Sequence, residues 1–208
     1  DASLVGQTYA CSPWRTIPIT DLMIRSDTID AIRRLYRPVQ IEYEAPKTWE
    51  MEMKTVRNAG IYYDSPDSIQ RNVKNVLSNL YSKGRVSELF RAHCDANHAT
   101  YDVIVSCRFD LTQPIKLSLL DCVPNKIYTV HTDGRFYLSD HCIVFTSPDL
   151  FMRYSAAFHD LSWMDASDDC KKMVSRFGLE WKLNVEEVIT LHLALFYSEQ
   201  ELRSIVVF

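Results

Sequence analysis

The sequence predicts a single α/β domain over residues 1–208, a mixed sheet with helices on its faces. Apolar runs of strand length alternate along the chain with segments of helical period, the pattern of sheet and helix layers. Pro, Gly, Asn and Asp turn chemistry separates one segment from the next. With 208 residues, 47% of them hydrophobic and 24% charged, the chain has the size and balance of one sizeable core.

Residues 1–20 carry Pro, Ser and Thr and read as irregular, with room for one short strand. Asp27 can cap a helix bearing Ile29, Ile32, Leu35 and Tyr36, and Pro38 stops it. Val39 to Tyr43 alternates as a short strand, whereas residues 47–64 have no clean period and read as a loop or short helix. Ser65-Pro66 opens a helix with Ile69, Val73, Val76, Leu77 and Leu80 on one face. Gly84 should bend or break it, and Val86, Leu89, Phe90 and His93 carry the face onward.

Val103 to Cys107 then reads as a buried strand, and Thr112-Gln113-Pro114 forbids its continuation. Asn125 to Val130 is a second strand, residues 131–134 a polar turn, and Cys142 to Thr146 a third strand. Ser147-Pro148-Asp149 has the chemistry of a helix start, for a helix running through Leu150, Tyr154, Ala157 and Phe158. Asn184 caps a helix with Val185, Val188, Ile189 and Leu193, and Ser204 to Phe208 is a terminal strand.

The net charge of −4 and the lack of a basic stripe argue against a nucleic-acid partner; Arg33, Arg34 and Arg37 read as a solvated helix end. Cysteines 11, 94, 107, 122, 142 and 170 form no C-x-x-C pair and no zinc spacing. Cys107 and Cys142 lie in apolar strand patterns, where a thiol acts as a small hydrophobe, so a reducing, cytoplasmic setting is expected. No run approaches the ~18 apolar residues of a membrane span, and the opening residues lack signal-peptide character. Asp1 is not a natural start, so further chain is expected ahead of it.

Chemistry concentrates at the end of the first strong strand, where Arg108 and Asp110, separated by Phe109, project to one side. A carboxylate can hold a divalent metal and a guanidinium can grip a phosphate, so the two together suit a pyrophosphate. The competing reading is an ion pair that merely finishes a strand. Lys83 and Arg85, flanking Gly84, either reach a phosphate from the neighbouring helix or face solvent.

Asp140, in the Ser139-Asp140-His141 turn, would face the same crevice if the strands run parallel. There it would act as base toward an acceptor hydroxyl or bind the acceptor; otherwise it is a turn residue, with His141 packed beside it. Asp133 belongs to a turn, and Asp165, Asp168 and Asp169 to a solvent-facing helix start. Glu186 and Glu187 favour the last helix's first turn, and His192 reads as a core residue.

The YDVIVSCRFDL strand (101–111) resembles a segment of small GT-A-type nucleotide-sugar glycosyltransferases, the lipopolysaccharide-biosynthesis group with relatives in bacteria and large DNA viruses. Three further stretches resemble the same family in its order. They are SNLYSKGRVSEL (78–89), LSDHCIVFTSPDLFMRYSAAF (138–158), like its Asp-x-φ-φ-x-Gly-Ser…Met-x-x-Tyr segment, and LNVEEVITLHL (183–193), like its Pro-Glu-x-x-Leu-x-x-His-Leu helix. Glu187 carries that last likeness only loosely.

The resemblance implies a GT-A-like fold, a nucleoside diphosphate sugar donor, a glycan acceptor, and Mn or Mg at Asp110 with Arg108 on the diphosphate. Arg108 replaces the first Asp of the family's Asp-x-Asp motif, which leaves metal dependence open. Thr146 stands where the family often has Gly, and Val185 where it often has Pro. The family's opening strand-helix-strand unit, which holds the nucleotide base, is either degenerate here or ahead of Asp1. The alternative is a non-catalytic carbohydrate-binding or assembly domain that keeps the fold.

Overall fold

Strand β3 (Cys142–Phe145) is the pivot of the sheet, because it pairs on both edges and all four of its residues are buried. In this computed structural model the described residues are 28–42, 44, 47–50, 66–108, 122–129, 138–177 and 184–207. The chain divides into two units, residues 1–48 and residues 49–208.

In the first unit, α1 (Thr28–Tyr36) is the expected helix. The strand expected from Val39 is not seen among the described residues 39–42. Val39 is 84% exposed, so its alternation has no surface to cover.

The second unit is an α/β domain with a small mixed sheet. Its order is β1-β3-β2-β4, with β1 (Ile104–Cys107), β2 (Ile127–Thr129) and β4 (Val206–Val207) around β3. Both β1 and β2 run antiparallel to β3, and β4 runs parallel to β2. Strand alternation sends Ile127, Ile143, Phe145 and Val206 into the common core with the helices. The expectation of a buried β1 is corrected: it is an edge strand, with Val105 41% exposed and Cys107 exposed.

Helix α2 (Pro66–Asn97) runs unbroken for 32 residues, contrary to the expected break at Gly84. A helical glycine costs only about 1 kcal/mol, and Val73, Val76, Leu77, Leu80 and Ser87 are buried on either side of it. The next expected helix is instead two, α3 (Pro148–Ser155) and α4 (Ala157–Ala166), joined at Ala156. After α5 (Asp168–Arg176), Asn184 caps α6 (Val185–Ala194) as expected, its side chain accepting from the Glu187 N–H. A capping box between Ser198 and Glu201 starts α7 (Glu199–Ile205), which takes up residues expected in the terminal strand. Among the described residues no helix is long and apolar enough to cross a membrane.

Candidate functional site at the junction of β1 and β3

The register of the β1–β3 pair builds the site. Cys107 lies opposite Cys142, and one step further the Arg108 N–H donates to the His141 carbonyl at 2.9 Å. The carboxyl end of β1 therefore meets the amino end of β3. Asp140 and Arg108 come together because β1 and β3 are antiparallel; the sequence places Asp140 at this crevice only on the condition of parallel strands, and it is the opposite direction that brings the two together.

Three hydrogen bonds hold the turn that carries Asp140. The Leu138 N–H donates to Thr190 Oγ1 on α6, the Ser139 N–H to Thr129 Oγ1 on β2, and the His141 N–H to Ser139 Oγ. Asp140 itself is buried, with its side chain only 3% exposed. Its Oδ2 accepts from Asn79 Nδ2 at 3.0 Å and from Arg108 Nη1 at 3.2 Å. Its Oδ1 is buried, and among the described residues His141 Nε2 stands 3.5 Å from it.

Helix α2 supplies the other face. Asn79 and Lys83 are four residues apart and so share a side of the helix. Burial holds the Lys83 ammonium below its usual range, offset by the Asp140 carboxylate. Its Nζ lies 5.8 Å from the centre of the Tyr154 ring, whose buried hydroxyl has no hydrogen-bond partner among the described residues. Arg85 is turned about 200° around the helix from Lys83, and its guanidinium pairs with Glu88.

The fourth contributor is Glu186, in the first turn of α6. Burial, and then the neighbouring Asp140 carboxylate, push its carboxyl up to about 7. Two carboxylates crowded together favour one proton between them. Asp140, His141 and Glu186 each offer a ligand atom, all within 4.8 Å of one another, a set that could hold a metal ion. The crowded Asp140–Glu186 carboxyl pair, which shares a proton that a cation could displace, fits such an ion.

Of the residues singled out from sequence, Arg108, Asp140 and Lys83 converge here, whereas Asp110 and Asp133 lie outside the described residues. His141 does not pack as expected: its side chain is 54% exposed, since it sits where the ladder ends. Asp165 is buried within α4, while Asp168 and Asp169 are exposed and pair with Lys171 and Lys172. His192 is the expected core residue, fully buried with Nε2 2.8 Å from Asp160 Oδ2.

Glu186 is the site residue that sequence reasoning missed. Aligning Val185 with the usual Pro of the Pro-Glu-x-x-Leu-x-x-His-Leu pattern puts Glu186, Ile189, His192 and Leu193 at its marked positions. Its neighbour Glu187 is buried within the same turn. Comparison with known proteins adds no relative: no family model, no curated protein and no solved structure matches the chain.

Proposed function

We propose that the chain is a glycosyltransferase that moves a sugar from a nucleoside diphosphate donor to a hydroxyl of a glycan acceptor, on a GT-A-like sheet. The observation that carries the reading is the meeting of two cations, Lys83 and Arg108, with the Asp140–His141–Glu186 ligand set at one strand junction. Donor cleavage leaves negative charge on the diphosphate. Fixed positive groups that wait at that position stabilise it without reorganising.

Asp140, His141 and Glu186 would hold the divalent cation, which supplies further charge neutralisation to the leaving diphosphate when bound. Arg108 offers the planar donor set that phosphate oxygens fit, while its bond to Asp140 keeps it aimed. Lys83, partly desolvated, adds a compact charge from α2. With its carboxyl pushed up to about 7, Glu186 is partly protonated at neutral pH, and it would give up that proton on becoming a ligand. Asp140 Oδ2 is committed to Asn79 and Arg108, which leaves Oδ1 to face a ligand.

The resemblance of residues 101–111, 138–158 and 183–193 to the glycosyltransferase family supports the same reading, because each stretch delivers one part of the cluster. Thermal melting with a panel of nucleoside diphosphates, with and without Mn²⁺, tests it. A cation-dependent rise in melting temperature for one diphosphate supports the enzyme. No shift with any of them favours the carbohydrate-binding alternative.

A further inference from the structure

We propose that Cys107 and Cys142 form a cross-strand disulfide-forming pair, a redox modification site on the edge of the sheet directly beside the candidate site. The two residues are opposite one another in the antiparallel β1–β3 register, and both are free thiols. Their position in the ladder matters. The Arg108 N–H donates to the His141 carbonyl, so Arg108 and His141 are a hydrogen-bonded pair. Hydrogen-bonded and non-hydrogen-bonded pairs alternate, which makes Cys107 and Cys142 a non-hydrogen-bonded pair. In such a pair the Cα atoms stand about 4.5 Å apart with the side chains drawn together, inside the range of about 4.4–6.8 Å that a disulfide spans.

Access is asymmetric. Cys107 is exposed on the edge strand, whereas Cys142 is buried at 6% exposure on the central strand. A small-molecule disulfide of the oxidised-glutathione class would therefore meet Cys107 first. The Cys107 sulfur displaces one glutathione thiol and forms a mixed disulfide. The Cys142 sulfur then attacks Cys107, expels the second glutathione as thiol, and closes the bridge. The protein loses two hydrogens and two electrons, and one disulfide reagent becomes two thiols. The bridge joins the residue before Arg108 to the residue after His141 and so pins the strand junction. Its formation does not depend on what that junction binds.

The test treats the folded chain with oxidised glutathione and maps its disulfides by mass spectrometry in a Cys94→Ser background, which leaves Cys107 the single thiol of its tryptic peptide. Expected are a Cys107–Cys142 linked peptide, loss of two titratable thiols without retained glutathione, and reversal by dithiothreitol. Cys107→Ala, at an exposed position, should abolish the link while the circular dichroism spectrum is unchanged. Glutathione that stays on Cys107, a link from Cys107 to any other cysteine, or two thiols left unreacted would overturn the proposal. Nucleotide binding enters none of these readouts, so the glycosyltransferase reading stands or falls separately.

Discussion

Arg108 and Asp140, far apart in sequence, meet at 3.2 Å where the carboxyl end of β1 abuts the amino end of β3. The pair joins a half-exposed guanidinium to a buried carboxylate, so one partner can reach a ligand while the other fixes it in place.

Arg108→Ala should weaken a nucleoside diphosphate more than the free nucleoside. A charge-assisted hydrogen bond contributes about 1.5–3 kcal/mol, which corresponds to a roughly 10- to 100-fold loss in diphosphate affinity. Calorimetric titration of both ligands reads the difference. Equal losses for the two would remove Arg108 from the phosphate site.

Glu186→Gln should change how stability depends on pH. A carboxyl raised from 4.5 to about 7 in the folded protein contributes stability that is fully present below 4.5 and is lost as pH rises through about 7. Cation-free wild type should therefore lose stability relative to the Gln variant across that window. Urea unfolding at a series of pH values measures the difference. A constant gap between the two proteins would show that Glu186 ionises normally.

Gly84→Ala should stabilise the protein. An added Cβ would lie 3.7 Å from Ser155 O and 3.9 Å from His159 Nε2, ordinary contacts, in the interior of a continuous helix. The gain expected is about 0.5–1 kcal/mol. A lower urea midpoint would mean that α2 and α3 need a closer approach than these distances indicate.

Local signals were legible where they act locally. Pro148 at the start of α3, Asn184 capping α6 and the β-rich run ending at Cys107 lead from sequence to observed elements. Strand order and direction were not legible, because the antiparallel pairing of β1 with β3 depends on how distant segments pack. That direction decides the site. Arg108 and Asp140 could each be picked out as a charge beside an apolar strand, but their contact through antiparallel register could not. Glu186 looked like an ordinary acidic residue in a first helical turn, a position that the macrodipole favours without any ligand.

The most direct test titrates the cognate nucleoside diphosphate into wild type and Asp140→Asn, with and without Mn²⁺, by calorimetry. Asn keeps the shape and can still accept from Asn79 and Arg108, but it removes the charge between His141 and Glu186. Wild type should bind the diphosphate tightly only with Mn²⁺, and the variant should lose that cation-dependent gain while its circular dichroism spectrum is retained. Diphosphate binding that is indifferent to Mn²⁺ in wild type, or a cation-dependent gain that survives in Asp140→Asn, would contradict a cation and diphosphate site at the junction of β1 and β3.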